Sequence, residues 1–301
     1  MENKELVSVI MPAYNCEKYI NQAIDCILNQ TYSHLELLIA DDCSTDYTKN
    51  IINSYSDLRI KTFHNTTNKG YLVASNLLMK KAKGNYIVFQ DADDYCSINR
   101  IEILVNEISS VDTLFAVGSN VCTINENNII LSTSNFPLKH NLILESFSNF
   151  RNPIIGSALL FKKEVLTTIG FYDMYFNRIG WEDYYWFSQI IQKYKVSNVL
   201  EPLYYYRSNP LSVSNQNKSF KSIAGFETVV YYLNQQILGR ENDILNKNYK
   251  LADRMMARNY ISLFINQNKK VSLKKIYQIS NSTYSFFILF IFKIKRALLA
   301  K

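Results

Sequence analysis

The chain has 301 residues, with 48% hydrophobic and 20% charged side chains and a formal net charge of +7 at neutral pH. These fractions are typical of a globular protein with a sizeable core, and they exclude a disordered chain. The positive charge alone is compatible with nucleic acid or anionic lipid as a partner. The basic residues cluster at the carboxyl end without interleaved base-stacking aromatic residues, which argues against nucleic acid.

Strand and helix patterns alternate over the first ninety residues. Apolar runs predict β-strands at 6–11, 35–40, 59–63 and 86–89, and amphipathic or bounded runs predict helices at 17–28, 47–55 and 71–82. We expect the first strand to stop at Pro12, because proline lacks a backbone N–H. Short βαβ units build a parallel sheet, so the loops at the carboxyl ends of the strands should meet in one crevice.

Acidic side chains follow two of these strands, Asp41 and Asp42 after the second and Asp91, Asp93 and Asp94 after the fourth. Three crowded carboxylates repel one another unless a cation neutralises them. Mg²⁺ and Mn²⁺ bind through one or two carboxylates and keep water and phosphate oxygens as their other ligands. The cluster therefore predicts a divalent metal that holds a diphosphate, although the spacing alone fits turn and capping residues equally well.

Other common signals are missing from the sequence. No Gly-X-Gly-X-X-Gly follows the first strand and no Gly-X-X-X-X-Gly-Lys motif occurs, so the phosphates of a ligand would be held by metal. The cysteines lack metal-binding spacing, and the polar amino terminus predicts no signal peptide; the cysteines are Cys16, Cys26, Cys43, Cys96 and Cys122. We expect reduced thiols in a cytoplasmic protein.

The second half predicts a more mixed arrangement. We expect a helix at 98–108 capped by Ser97, an irregular segment at 135–153 and a helix from Glu182 to Tyr194. Strands are predicted at 113–119, 121–124, 129–132, 156–162, 196–200 and 203–206, with a short helix at 163–169. From Ser219 onward the pattern is helical, at 219–238, 241–266 and 271–280.

The last stretch, 284–299, contains seven consecutive apolar residues after Ser285, followed by Lys293, Lys295 and Arg296. It is too short for a membrane-spanning helix, which needs roughly 20 apolar residues. A helix in the interface of an anionic membrane, through 284–301, is one interpretation. Packing against the domain or against a partner in a homo-oligomer is the other, and both stay open.

Several stretches resemble, in order, the motifs of family 2 glycosyltransferases, which are inverting enzymes of the GT-A fold that use nucleotide-diphospho-sugars. The first four are Val-Ser-Val-Ile-Met-Pro-Ala-Tyr-Asn at 7–15, Asp-Asp-Cys-Ser-Thr-Asp at 41–46, Asn-Lys-Gly and Ala-Ser-Asn within 68–76, and Gly-Asn-Tyr-Ile-Val-Phe-Gln-Asp-Ala-Asp-Asp at 84–94. The resemblance implies an α/β domain with a mostly parallel, Rossmann-like sheet and flanking helices at 1–215. Its nucleotide-sugar half would span about 1–118 and its acceptor half about 119–215, and 216–301 would form a helical extension.

The resemblance also implies roles for residues on the nucleotide side. Asp42 matches the residue that hydrogen-bonds the base, usually uracil, and Asp93 matches the ligand of Mn²⁺ or Mg²⁺. Asp91 would lie near the ribose and the metal. The residues expected to line the nucleotide pocket are Pro12, Ala13 and Tyr14.

On the acceptor side, Glu182 and Asp183 resemble the motif whose aspartate is the general base, so the resemblance assigns that role to Asp183. Both carboxylates would equally suit the first turn of a helix. Trp181 would stack on an acceptor sugar or pack in the core. Arg207 matches an arginine that approaches the diphosphate, and Asn209 stands near where a metal-binding histidine is expected.

The implied function is inverting transfer of a sugar, with UDP-sugar as the expected donor, to a hydroxyl of a growing bacterial surface glycan such as lipopolysaccharide or capsule. Such an enzyme would work in the cytoplasm or peripherally on the cytoplasmic face of the inner membrane, on a glycan or glycolipid acceptor. The alternative is a catalytically inactive GT-A domain that serves as a carbohydrate-binding or membrane-associated scaffold, a possibility raised by the missing histidine.

Overall fold

The computed structural model describes residues 4–149, 151–208, 226–233 and a few single positions between 244 and 255. Residues 226–233 are helical, as predicted, whereas Asn209 and the tail at 284–301 lie outside the described residues. The chain divides into two compact units, Met1–Arg178 with Glu182–Asn209 and Ile179–Trp181 with Pro210–Lys301. Among the described residues, no helix has the length and apolarity needed to cross a membrane.

In the described part of the first unit, nine strands form one mixed sheet. They are β1 Val7–Ala13, β2 Leu35–Asp41, β3 Ile60–His64, β4 Tyr86–Phe89, β5 Tyr95–Cys96, β6 Leu114–Ile124, β7 Ile130–Thr133, β8 Leu160–Lys162 and β9 Lys195–Arg207. Their order is β3-β2-β1-β4-β8-β6-β9-β5, with β7 paired to β6. The helices are α1 Ile20–Leu28, α2 Thr48–Ser54, α3 Tyr71–Lys81, α4 Arg100–Ser110, α5 His140–Ser148, α6 Val165–Thr168 and α7 Glu182–Lys193.

The predicted parallel half of the sheet is confirmed. β1 pairs in parallel with both β2 and β4, and β2 pairs in parallel with β3. Every residue of β1, β2 and β4 is buried, as expected of parallel strands covered on both faces. Because these strands share one direction, the loops that follow β1, β2 and β4 emerge at the same edge of the sheet.

The prediction that Pro12 ends the first strand is wrong. β1 continues to Ala13, and Pro12 pairs with Ala40 of β2. On the other side of β1, the ladder to β4 closes with Gln90 donating to the carbonyl of Ile10. The backbone of Pro12, two residues after Ile10, points toward the same side of β1. No neighbouring strand there requires the N–H that proline lacks, so proline is tolerated at this position.

The strands predicted on either side of Pro202 are one continuous strand, β9, and the strands predicted at 113–119 and 121–124 are likewise one strand, β6. β6 and β9 pair in parallel, and the register shifts where Asn120 lies opposite Pro202. The Asn120 amide donates to the carbonyl of Leu200 at 2.8 Å across this irregularity. A proline at a bulge does not break the ladder, which explains why Pro202 lies inside a strand.

Three further predictions for the second half differ from the structure. Within the segment expected to be irregular, α5 forms and buries Ile143 and Phe147, which lie four residues apart on one helix face. Ser97 does not cap the next helix, because α4 begins at Arg100 and has Asn99 at its N-cap without a side-chain cap bond. The strand expected from Gly156 is shorter, since a 3₁₀ turn at Gly156–Ala158 precedes β8.

Candidate functional site

The acidic loop after β4 is held by the end of β9. The backbone N–H of Asp91 donates to the Tyr204 hydroxyl at 3.0 Å. Two further bonds come from Arg207, whose backbone N–H donates to Asp94 Oδ1 at 2.6 Å and whose Nε donates to the Asp93 carbonyl at 2.8 Å. β9 therefore sets the position of all three aspartates, although Tyr204 carries no signal in the sequence beyond its place in a tyrosine run beside Arg207.

Arg207 itself is a buried brace in this structure, with 1% of its surface exposed. Its Nη1 donates to the carbonyls of Asn125 and Glu126, and its Nη2 donates to Gln22 Oε1. The guanidinium also stacks 4.2 Å from the centre of the Tyr19 ring. These bonds use most of its donors, so contact between Arg207 and a diphosphate stays a prediction.

The three carboxyl groups of the loop carry more negative charge than their surroundings neutralise. Burial, reinforced by the charge of Asp93, raises the pKa of Asp91 to about 7, although bonds from Ser157 and Tyr71 oppose the shift. Burial also raises the pKa of Asp93, and burial and both neighbours raise the pKa of Asp94 well above its usual value. Asp94 Oδ2 is buried without a hydrogen-bond partner. Such a cluster favours a cation.

The residues present fit a metal held by few protein ligands. Within the described residues, no group of three or more His, Cys, Asp or Glu side chains is arranged to ligate a metal ion. One or two carboxylates are enough for Mg²⁺ or Mn²⁺ when phosphate and water supply the remaining oxygens. Asp93 is half-buried, so one face of the cluster is open to such a ligand.

The predicted helix start at Glu182 is confirmed, and it brings a second pair of carboxylates close to the acidic loop. Asp183 Oδ1 accepts the backbone N–H of Tyr184 at 2.7 Å, and the N–H of Gly156 also bonds this carboxylate. The charges of Asp183 and Asp91 interact, as do those of Glu182 and Asp91, which places the pair near the acidic loop. Burial raises the pKa of Asp183.

Asp42 is nearly fully buried and holds the loop at 65–70. Its Oδ1 accepts the Asn65 amide at 2.7 Å and the Lys69 N–H at 2.9 Å, and its Oδ2 accepts the Gly70 N–H at 2.7 Å. Each carboxylate oxygen accepts about two hydrogen bonds. One acceptor position therefore remains, on Oδ2. The backbone N–H of Asp42 donates to the carbonyl of Ala13, which ties the ends of β1 and β2 together.

The same 65–70 loop is held by the segment that precedes α7 in the chain. The Asn177 amide donates to the carbonyl of Lys69 at 3.1 Å, and Arg178 Nη2 donates to the carbonyl of Asn68 at 2.9 Å. The 65–70 loop and the chain leading to Glu182 and Asp183 are thus physically linked, a connection that sequence reasoning missed.

The remaining predicted residues have different surroundings. Pro12 and Ala13 are buried in β1, whereas Tyr14 is 48% exposed at the strand end. Trp181 belongs to the second unit, and its ring lies 4.5 Å from the ring of Phe226. Asn76, at the end of the third motif, exchanges two hydrogen bonds with the backbone of Tyr172.

Gly156 provides a test of how closely Asp183 is positioned. A Cβ at this residue would lie 3.0 Å from Asp183 Cβ and 3.2 Å from its Oδ2. If Asp183 is the base that the family resemblance assigns, Gly156→Ala should push its carboxylate aside and lower kcat about tenfold or more, because small displacements of a catalytic group are costly. Nucleotide affinity should not change. Steady-state kinetics and a nucleotide titration measure the two quantities.

Gly170→Ala is the matched control for that substitution. Gly170 has a φ of +82° and no atom within 4 Å of the added Cβ, so alanine costs about 1–2 kcal/mol of backbone strain without touching the site. Equal losses of kcat in the two variants would show that the effect of Gly156→Ala comes from stability and not from Asp183.

Glu182 predicts a pH dependence of stability. Burial, and then the charge of Asp183, raises the pKa of Glu182 to about 8 from 4.5, and its Oε2 is buried without a hydrogen-bond partner. A carboxyl group whose pKa is higher in the folded than in the unfolded chain stabilises the folded chain at pH values below the unfolded pKa. That stabilisation is lost as the pH rises through the folded pKa. Between pH 5 and 8, the Tm should therefore fall less for Glu182→Gln than for the wild type. Curves of Tm against pH that run parallel for Glu182→Gln and the wild type would contradict this prediction. An equally small fall in Tm for Glu164→Gln, a control substitution at an exposed residue, would contradict it too.

Residues 8–176 match the family model described as "Glycosyl transferase family 2". A Haemophilus influenzae protein named "Uncharacterized glycosyltransferase" is 34% identical over 263 residues, which cover 82% of this chain and 79% of that protein. Escherichia coli WfaP, a UDP-Glc:alpha-D-GlcNAc-diphosphoundecaprenol beta-1,3-glucosyltransferase, is 33% identical over 217 residues, or 70% of this chain and 80% of WfaP. The crystal structure of S. aureus TarS in complex with UDP superposes with a TM-score of 0.61 at 20% identity, covering 90% of this chain and 77% of that one.

Proposed function

This chain belongs to glycosyl transferase family 2 and has the predicted GT-A fold, and from that premise we propose that it transfers a sugar from a UDP-sugar to a hydroxyl of a bacterial surface glycan, with inversion at the anomeric carbon. That it is a glycosyltransferase follows from the family. The proposed donor and acceptor are supported by relatives, since WfaP is named for UDP-Glc and a diphosphoundecaprenol acceptor and TarS was crystallised with UDP.

The observation that carries the proposal is the proximity of two groups of carboxylates, since Asp91 is bonded by Ser157 and Asp183 by the adjacent Gly156. The aspartates that follow β4 and the pair that begins α7 lie close enough for Asp183 to raise the pKa of Asp91. A glycosyl transfer needs negative groups at two points, one to position a cation with the diphosphate and one to take a proton from the acceptor. Asp93 and Asp183 would supply them.

Asp183 is the proposed general base. Its carboxylate is oriented by the N–H groups of Tyr184 and Gly156, and burial raises its pKa. A raised pKa makes a carboxylate a better proton acceptor for a sugar hydroxyl. As the hydroxyl oxygen bonds to the anomeric carbon, its proton passes to Asp183, and the bond from that carbon to the diphosphate oxygen breaks on the opposite side.

Asp93 is the proposed protein ligand of Mn²⁺ or Mg²⁺. When bound, such an ion stabilises the charge that develops on the departing nucleoside diphosphate. The buried, unpaired Oδ2 of Asp94 and the raised pKa values of all three aspartates support a cation here. Arg207 would contribute by holding the Asp93 loop in place through its carbonyl. Asn209, the other proposed ligand, lies outside the described residues.

The nucleobase is proposed to contact Asp42. The one acceptor position left on Asp42 Oδ2 suits a ligand that presents a single N–H, as the ring N3–H of uracil does. Pro12, Ala13 and Tyr14 would line the same pocket from the end of β1, with Tyr14 exposed enough to touch a ligand. Trp181 and Glu182 remain proposed contacts of the acceptor.

The test is metal-dependent sugar transfer. Purified protein would be incubated with Mn²⁺ and each of several UDP-sugars, with a diphosphoundecaprenol-linked sugar as acceptor, and the glycolipid product and released UDP would both be measured. We expect one donor to give product, and EDTA to abolish it. UDP binding without product for any donor and acceptor would favour the inactive scaffold, and absence of UDP binding would overturn the nucleotide assignment.

A further inference from the structure

Two cysteines meet just beyond the acidic loop. The sulfurs of Cys26, in α1, and Cys96, in β5, lie 3.6 Å apart, and neither forms a disulfide. Cys96 is 6% exposed, whereas Cys26 is half-buried. The Gln30 amide also donates to the Cys96 sulfur, at 3.5 Å. The Cys96 sulfur therefore accepts the Gln30 amide and lies within hydrogen-bond reach of the Cys26 thiol, which also donates to the carbonyl of Ala23 at 3.2 Å.

A buried cation interacts with the same sulfur. Arg100 is fully buried; its Nη1 donates to Gln90 Oε1 at 3.1 Å, and its Nη2 donates to the carbonyls of Phe89 and Ser157 at 3.0 and 2.6 Å. These oxygens are all neutral, and the buried Nε has no hydrogen-bonded oxygen or nitrogen. A buried charge with only neutral partners is costly, so an anion nearby is favoured.

The Cys96 thiolate can be that anion. Burial alone would raise the pKa of Cys96, but the hydrogen bond from Cys26 and the charge of Arg100 outweigh burial and hold the pKa below its usual value. The hydrogen bond to Cys96, together with burial, raises the pKa of Cys26 well above its usual value. One sulfur is thus suited to attack as a thiolate while the other remains a thiol donor.

We infer that Cys26 and Cys96 are an oxidisable pair which a small hydroperoxide converts into a disulfide. The Cys96 thiolate attacks the peroxide, so that a sulfur–oxygen bond forms, the O–O bond breaks and the alcohol or water leaves with a proton. The Cys26 sulfur then attacks Cys96, displacing water. In sum, two thiols and one hydroperoxide give one disulfide, one alcohol and one water.

The new bond requires the two sulfurs to move closer together. The sulfurs must approach by about 1.5 Å to reach the usual S–S length of about 2.05 Å. The new bond would join α1 to the strand that follows the aspartates. It would also remove the anion beside Arg100, whose guanidinium stacks 4.8 Å from the centre of the Tyr204 ring, and Tyr204 holds Asp91.

The experiment counts thiols in the full-length chain. Reduced protein would be treated with one to five equivalents of hydrogen peroxide, quenched, and alkylated in denaturant, and its peptides identified by mass spectrometry. We expect two of the five thiols to be lost, with the peptides of Cys26 and Cys96 joined and with recovery in dithiothreitol. Retention of all five thiols, or oxidation of Cys43 ahead of the pair, would overturn the inference.

Two variants make the outcome specific. Cys26→Ala removes the resolving thiol, so Cys96 should proceed to sulfenic and sulfinic acid without an intramolecular disulfide. Cys43→Ala, at a half-buried cysteine outside the pair, should leave the Cys26–Cys96 disulfide unchanged. Disulfide formation by the Cys26→Ala variant to another cysteine of the same chain at the same rate would contradict the assigned pairing. None of these results depends on the sugar substrate.

Discussion

Replacement of Asp183 by asparagine is expected to lower kcat for sugar transfer by about 10²- to 10⁴-fold, the usual range for loss of a general base. Asparagine keeps an oxygen that can accept the Tyr184 N–H, which Asp183 accepts at 2.7 Å, so the start of α7 should remain intact. It cannot take a proton from the acceptor hydroxyl. The affinity for UDP should stay within about twofold, because the proposed nucleotide contacts are made elsewhere. Product formation, and not UDP release, is the quantity to measure, since donor hydrolysis does not need this base.

Glu182→Gln is the matched control for Asp183→Asn. Glu182 is the adjacent carboxyl group, and the two interact electrostatically. If Asp183 is the base, the glutamine variant should keep kcat within about tenfold of the wild type. The opposite pattern, with Glu182→Gln inactive and Asp183→Asn active, would assign the base to Glu182.

Asp93→Asn is expected to separate nucleotide binding from stability. In the presence of Mn²⁺ the affinity for UDP should fall at least about tenfold, or about 1.4 kcal/mol, because a neutral amide is a poorer ligand than a carboxylate for a hard cation. Without metal the variant should bind UDP as the wild type does. Its metal-free Tm should be equal or higher, since burial raises the pKa of Asp93 and a neutral side chain relieves that penalty at neutral pH.

Asp112→Asn is the control for Asp93→Asn. Asp112 is exposed and its carbonyl, not its carboxylate, accepts a bond from Lys162, so neither UDP affinity nor Tm should change. Isothermal titration with and without Mn²⁺ and a thermal melt at neutral pH supply the measurements. Unchanged Mn²⁺-dependent binding by Asp93→Asn would reject Asp93 as the metal ligand.

The sequence alone was sufficient for the first half of the fold. β1 to β4 begin and end within two residues of their predicted bounds. For β1, β2 and β4 the reason is that strands buried on both faces read as continuous apolar runs with polar residues where they end. The parallel direction then follows from the alternating helices, so the carboxyl ends of β1, β2 and β4 were expected at one edge of the sheet. The family motifs lie on those ends, which made their residues visible without a structure.

The second half depended on pairings that local patterns do not encode. β6 and β9 were each predicted as two shorter strands, because propensity cannot show that a bulge opposite Pro202 lets both continue. The predicted Ser97 cap was wrong, and helix α5 was not predicted, for a related reason. Local sequence signals do not show the tertiary packing that decides between alternative structures.

What the sequence by itself determined is the fold class, the parallel half of the sheet and the set of carboxylates at its edge, since apolar periodicity and motif order are local properties. Only the tertiary structure decided how those carboxylates are held and charged. Arg207 bonds Gln22 across 185 residues, Cys26 meets Cys96 across 70, and Asp183 in α7 influences Asp91 in the loop after β4. The physical reason is that burial and charge depend on neighbours that only folding brings together.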